Sequence, residues 1–70
     1  MYKYCKVLDD LFECLKSKKL YEKKSNIVSQ FEVASSAILS IAFYDRKLRK
    51  RDYDSLSNLI YKYLQTIKKF

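Results

Sequence analysis

Glycine, proline and histidine are absent from this chain of 70 residues, and cysteine occurs only twice. Tight hairpin turns rely on glycine, proline and asparagine, so their scarcity disfavours strand-rich folds. The absence of glycine excludes the glycine-rich loops that cradle phosphates in P-loop and dinucleotide-binding sites. Without histidine, an acid–base active site and a Cys/His zinc site are both disfavoured. We therefore predict a protein that is not an enzyme and that holds neither a metal nor a cofactor.

The two cysteines, Cys5 and Cys14, are too few for a disulfide framework. On one helix their spacing places them on opposite sides and roughly 13 Å apart along the axis, so they cannot pair with each other. We interpret both as small buried hydrophobic residues; an intermolecular disulfide or a reactive thiol is the alternative. Free thiols, the lack of a signal peptide and the lack of an apolar run of ~18 residues together predict a cytoplasmic, reducing location.

Acidic residues are scarce relative to basic ones, and the formal net charge is +7. Hydrophobic residues make up 49% of the chain, which is too high for a disordered protein. A chain of this length forms one domain, residues 1–70, with a core that needs supplementing. Self-association is the expected supplement. The abundance of Lys, Tyr, Ile and Ser is typical of AT-rich genomes, such as those of viruses and mobile elements.

Apolar residues recur at spacings of three and four along three segments, which predicts helices at about residues 2–19, 27–48 and 53–69. The predicted fold is all-α, a three-helix antiparallel bundle with up-down-up topology. Either Asp52 or Asp54 would cap the third helix. The predicted core stripes are Met1, Tyr4, Leu8, Leu11 and Leu15, then Ile27, Phe31, Ala34, Ile38, Ile41 and Leu48, then Tyr53, Leu56, Ile60, Tyr63, Ile67 and Phe70.

The central helix carries no charge over "VASSAILSIAFY", residues 33–44. A helix that is neutral on nearly every side is normally buried, yet two neighbouring helices cannot cover all of it. We therefore predict a homodimer assembled through this helix, and a serine-lined face exposed to water is the alternative. The same face could also dock a different protein. The predicted interface residues are Val33, Ser36, Ala37, Ser40 and Phe43.

Part of the same segment, "QFEVASSAILS", resembles the start of a helix-turn-helix motif. Gln30, Ala34 and the pair at 39–40 stand at corresponding positions, and the resemblance implies DNA binding through the helix that follows the turn. Ile38, however, stands where this motif usually has glycine. The next residues, "IAFY", are apolar where base-reading residues are polar. A continuous helix is the preferred interpretation.

Five positive charges lie within six residues in "RKLRKR", which includes all three arginines of the chain. Cations at the end of the second helix would interact favourably with its dipole, which would explain part of this cluster. The remaining positive charges suggest contacts with phosphate, to which arginine can bind bidentately. The predicted nucleic-acid-binding residues, called the basic cluster below, are Arg46, Lys47, Arg49, Lys50 and Arg51. A possible second patch comprises Lys18, Lys19, Lys23 and Lys24.

These features predict a small, basic binding protein that binds nucleic acid largely independently of sequence, or a regulatory protein. Exposed tyrosines at Tyr2, Tyr44 and Tyr61 could stack on bases, although tyrosines at the edge of a core are the commoner arrangement. The alternative function is a protein-interaction module or inhibitor, in which the charge maintains solubility or engages an acidic partner. A cationic helix lying on a membrane surface is a third hypothesis.

Overall fold

The computed structural model describes residues 2–70 as an all-α protein. Its helices are α1 (Tyr2–Ser17), α2 (Lys24–Phe43) and α3 (Lys50–Lys68), and a 3₁₀ turn (Lys18–Leu20) follows α1. The described residues contain no β-strand, and each helix contacts the other two. The predicted all-α class is confirmed. Met1 lies outside the described residues, and so does the side chain of Tyr2.

The core runs along the axis where the three helices meet. Leu8 of α1, Phe31 of α2 and Leu56 of α3 are completely inaccessible to solvent. The predicted stripes of α1 and α3 therefore face the core as expected. The buried hydrophobic residues are Tyr4, Leu8, Leu15, Ile27, Phe31, Ile38, Ala42, Leu56, Ile60 and Ile67.

The predicted stripe of α2 is wrong at its C-terminal end. Ile41 is 63% exposed, and its neighbour Ala42 is buried instead. Two turns earlier, Ser35 is buried and the predicted Ala34 is half-buried, whereas Ile38, in the turn between, is buried as predicted. A straight α-helix rotates by about 20° per heptad relative to a seven-residue repeat, so a strict heptad series moves off the core. Ser35 is tolerated inside because its hydroxyl donates a hydrogen bond to the carbonyl oxygen of Glu32 at 3.2 Å.

The second helix also ends earlier than the predicted residue 48. After Phe43 the chain turns through residues 44–49, where the Lys47 amide donates a hydrogen bond to Asp45 Oδ1 at 2.9 Å. Such a bond between a short side chain and the nearby backbone competes with continuation of the helix. α2 and α3 each begin about three residues before their predicted starts.

The cysteine prediction is wrong for Cys14. Its side chain is exposed, while Cys5 is half-buried, and both thiols are free. Cys14 immediately precedes the buried Leu15, and adjacent helical residues point about 100° apart. Cys14 therefore lies beside the buried stripe of α1, on its solvent side.

Two contacts between helix ends show how the helices are oriented relative to one another. The Tyr4 hydroxyl donates a hydrogen bond to Asp45, which places the start of α1 beside the end of α2. At the other end, the Lys19 ammonium lies 5.4 Å from the centre of the Phe70 ring. The long dimension of the molecule is 39 Å. The bundle therefore has two separate ends, and each end carries its own group of cations.

A polar and aromatic contact joins α1 to α3 midway along the bundle. The Tyr63 hydroxyl donates a hydrogen bond to Asp9, and the Tyr63 ring stacks on Phe12 with centroids 4.6 Å apart. The hydrogen bond to Asp9, followed by burial, raises the pKa of Tyr63 to about 12. Tyr63 is therefore a neutral hydrogen-bond donor throughout the physiological pH range.

Candidate nucleic-acid interface

The basic cluster occupies the turn between α2 and α3 and the first turn of α3. Arg46 and Lys47 lie in the turn, Arg49 is the N-cap residue of α3, and Lys50 and Arg51 begin the helix. All five side chains are exposed. The fold thus presents every arginine of the chain at one end of the bundle.

The dipole explanation does not hold for most of the basic cluster. α2 ends at Phe43 and has no basic residue in its last turn, and only Arg46 and Lys47 follow its C-cap closely. The other three cations, Arg49, Lys50 and Arg51, lie instead at the N-terminus of α3. The positive end of the helix dipole is there, and nearby cations are disfavoured. These three cations therefore oppose the local electrostatics at the start of α3.

The N-terminus of α3 also lacks the predicted aspartate cap. The N-cap position is Arg49, whose side chain makes no capping hydrogen bond. Asp52 lies within the first turn and Asp54 lies beyond it. The first amide groups of α3 therefore have no side-chain cap and belong to the same few residues as the cations, an arrangement that favours an anion.

The neighbouring acids do not form ion pairs with the basic cluster. Among residues 2–70 the ion pairs involve Lys3, Lys6 and Lys16, and none involves a cation of the cluster. Two carboxylates flank the cluster in sequence, Asp45 and Asp52. Asp45 accepts hydrogen bonds from the Tyr4 hydroxyl at 2.6 Å and the Lys47 amide at 2.9 Å. It is thus directed toward the bundle.

Asp45 positions the turn that carries the basic cluster. The hydrogen bond from Tyr4, then that from the Lys47 amide, holds the pKa of Asp45 below its usual range. The same bond to Asp45 raises the pKa of Tyr4. Both pKa shifts favour the state in which Asp45 is charged and Tyr4 is neutral at neutral pH.

The predicted second patch lies at the opposite end of the bundle, and part of it is already engaged. The Lys18 ammonium donates a hydrogen bond to Gln30 Oε1 at 3.3 Å. Lys19 lies over the ring of Phe70. Lys23 and Lys24, at the start of α2, are exposed. This patch is therefore separate from the basic cluster and offers fewer unengaged cations.

Two of the predicted exposed tyrosines are at the surface, Tyr44 with 80% and Tyr61 with 65% of its area exposed. Tyr44 is the first residue of the turn that carries the basic cluster. Two further aromatic residues lie beside the cluster, Phe43 and Tyr53, which the sequence analysis predicts in the dimer interface and the core. In the sequence, the signal for an aromatic and basic site is the pair "FY", which Asp45 alone separates from "RKLRKR".

The outer face of α2, which carries the predicted interface residues, is exposed to solvent in the single chain. All five predicted interface residues are exposed, and Val33 is 72% exposed. Beside them a groove of about 500 Å³ runs between α1 and α2, with Cys14 and Ala34 in its lining. Residues 30–40 lie within the continuous helix α2, so the predicted continuous helix is confirmed over a helix-turn-helix.

The exposed apolar surface of α2 also bears on membranes. Among residues 2–70, α2 is the helix long and apolar enough, by length and composition, to cross a bilayer. Of its most apolar window, 28% is buried inside the bundle. The core helices of water-soluble proteins meet the same criterion, so this property does not by itself assign a membrane location.

Comparison of the chain with protein-family models, curated proteins and solved structures finds no match. The chemistry of the surface is therefore the basis for a functional proposal. Among residues 2–70 there is no group of three possible metal ligands. The exposed cations and aromatic rings can instead bind anions and planar groups.

The role of Asp45 can be tested by comparing Asp45→Ala with Asp10→Ala, two variants with the same change of charge. Asp10 is an exposed carboxylate paired with Lys6, and such surface pairs contribute little. We expect Asp45→Ala to lower the melting temperature more at pH 7 and to accelerate amide exchange at Lys47. The pKa of Asp45 is lower in the folded state than in the unfolded state. Its contribution to the stability of the fold is therefore fully present above the ordinary carboxyl pKa, and it is lost as the pH falls through the folded-state pKa.

Thermal unfolding monitored by circular dichroism between neutral pH and about pH 2, which lies below ordinary carboxyl pKa values, measures this difference. The difference in melting temperature between the two variants should become smaller at acidic pH. Equal melting temperatures at pH 7 would show that Asp45 does not hold the turn.

Proposed function

We propose that this protein is a non-enzymatic, cytoplasmic nucleic-acid-binding protein, and that the basic cluster contacts phosphates. The observation that carries the proposal is the position of Arg49, Lys50 and Arg51 at the N-terminus of α3. Their charges are unpaired within the described chain and oppose the helix dipole, so they do not serve the stability of the fold. A bound phosphate would interact favourably with both the cations and the amide groups.

The proposed binding is largely independent of sequence. Phosphate contacts fix the position of a protein on nucleic acid but carry no base information. Base readout in the major groove needs polar side chains on an accessible helix, and the exposed face of α2 offers serine, alanine and apolar residues. Electrostatic contacts should therefore dominate the affinity.

We also propose that the protein is a homodimer assembled through the outer face of α2. The support is the exposure of Val33 and Ile41 on one helix, together with the small side chains of Ser36 and Ser40 beside them. Phe43, the last residue of α2, is left out of the proposed interface and stays accessible. Apolar area removed from water contributes about 25 cal/mol per Å². Small residues allow close approach of a second helix. A dimer would also supplement the small core of a 70-residue chain.

The phosphate contacts predict a steep dependence of affinity on salt. The logarithmic slope should approach about −0.9 per phosphate contacted on a duplex and about −0.7 on a single strand. Replacing Arg46, Arg49 and Arg51 with glutamine should flatten the slope by roughly two to three units. The three side chains are exposed, so the variant should remain folded.

The matched control replaces the exposed Lys62, Lys68 and Lys69 with glutamine, since these residues make the same change of charge away from the basic cluster. Fluorescence anisotropy of a random-sequence duplex and a single strand over a range of salt concentrations gives the slopes. The control should retain most of the wild-type slope. Equal losses in both triple variants would indicate nonspecific attraction to net charge. An absence of wild-type binding at low salt would refute the proposed function.

The dimer is tested by the double variant Ser36→Glu, Ser40→Glu. Both positions are exposed in the single chain, so glutamate is tolerated in a monomer and costly only in an interface. The control is Ser25→Glu, Ser55→Glu, which adds the same charge at exposed positions away from this face. Sedimentation equilibrium should show dimers for the wild type and the control, and monomers for the Ser36, Ser40 variant. A wild type that is monomeric at high micromolar concentration would contradict the dimer.

The same face supports the second candidate, a module that docks another protein. The observation in its favour is the groove of about 500 Å³ between α1 and α2, which opens beside Val33 and Ala34. A monomeric wild type that binds no nucleic acid would make this candidate the leading one. The same Ser36, Ser40 variant would then be the first to assay against a candidate partner.

A further inference from the structure

A cavity of about 410 Å³ opens where the end of α2 meets the start of α3, directly beside the basic cluster. Its volume falls within the range of about 300–1,000 Å³ that is usual for ligand sites. The lining combines apolar, aromatic and charged side chains. The lining residues are Ala42, Phe43, Leu48, Arg49, Lys50, Tyr53 and Asp54.

Phe43 presents an unstacked aromatic ring at this cavity. Its centroid lies 5.2 Å from that of Tyr44 with an interplanar angle of 86°, and 6.1 Å from that of Tyr53 with an angle of 71°. Both contacts are edge-on, in contrast to the near-parallel stack of Phe12 on Tyr63. Phe43 is 68% exposed, so a planar group has access to it.

The charged lining residues favour an anionic group at the rim. Arg49 and Lys50 line the cavity on its α3 side, and neither forms an ion pair among residues 2–70. Asp54 is the one acid in the lining and would repel a phosphate placed next to it. A carboxylate can accept a hydrogen bond from a base amino group. The lining therefore suits a ligand with a planar group inside and a phosphate outside.

We infer that this cavity holds an unpaired base of single-stranded nucleic acid, with the base against Phe43 and its phosphates on Arg49 and Lys50. The inference rests on the proposed function and specifies its substrate class. Bases within a duplex are covered on both faces by their neighbours, so only an unpaired base can enter. Base–aromatic stacking tolerates every base, which agrees with binding that is independent of sequence.

The test compares a short oligothymidylate with an abasic strand that has the same number of phosphates. Wild type should bind the base-containing strand more tightly, by between about 5-fold and about 140-fold per stacked base. Phe43→Leu should lose this preference, because leucine keeps an apolar side chain for any α2 interface but has no ring. Phe43→Trp should retain it. The control is Tyr21→Leu, which removes a ring of similar exposure, 76%, at the opposite end of the bundle.

Anisotropy titrations of all four proteins at fixed salt measure the preference, and an oligouridylate arm compares RNA with DNA. Equal wild-type affinities for the two strands would overturn the base site and leave phosphate binding intact. If Phe43→Leu lost the same factor of affinity for both strands, the base site would also be overturned, because Phe43 would then act through folding or assembly. No binding to any strand would refute the proposed function together with this site.

Discussion

The carboxylate of Asp45 is the constraint on which the end of the bundle with the basic cluster depends. It accepts hydrogen bonds from the Tyr4 hydroxyl of α1 and from the Lys47 amide of the following turn. The first bond ties the turn to the bundle, and the second competes with continuation of α2. A turn fixed in this way presents the basic cluster to solvent and places the start of α3 beside it.

Stability of the fold and the proposed phosphate binding make opposite demands on this end of the bundle. An aspartate or serine cap would stabilise α3, whereas the structure has Arg49 at the N-cap, followed by Lys50 and Arg51. Asp52 is the one acid in the first turn. The fold tolerates the cations because burial of residues such as Phe31 and Leu56 holds α3 against α2. A proposed dimer would present two basic clusters on one particle, which raises avidity for a polyanion.

The sequence was sufficient to predict the all-α class and most of the core, because the spacings along α1 and α3 follow the helical period closely. It was insufficient at Asp45, since its hydrogen bond with Tyr4 joins residues 41 positions apart. The end of α2 at Phe43 depends on that turn. The burial of Ala42 rather than Ile41 was missed because a seven-residue pattern approximates a straight helix poorly. The cavity at Phe43 depends on how α2 and α3 meet, which local patterns do not specify.

Backbone amide chemical shifts measured by NMR during titration with a short single-stranded oligonucleotide test the central claim most directly. The proposed interface predicts that the largest changes fall on residues 43–54, at the end of the bundle that carries the basic cluster. The second lysine patch, near residues 18–24 at the opposite end, serves as the internal comparison. Changes concentrated at that opposite end, or no changes at any amide, would contradict the assignment of the basic cluster as the binding surface.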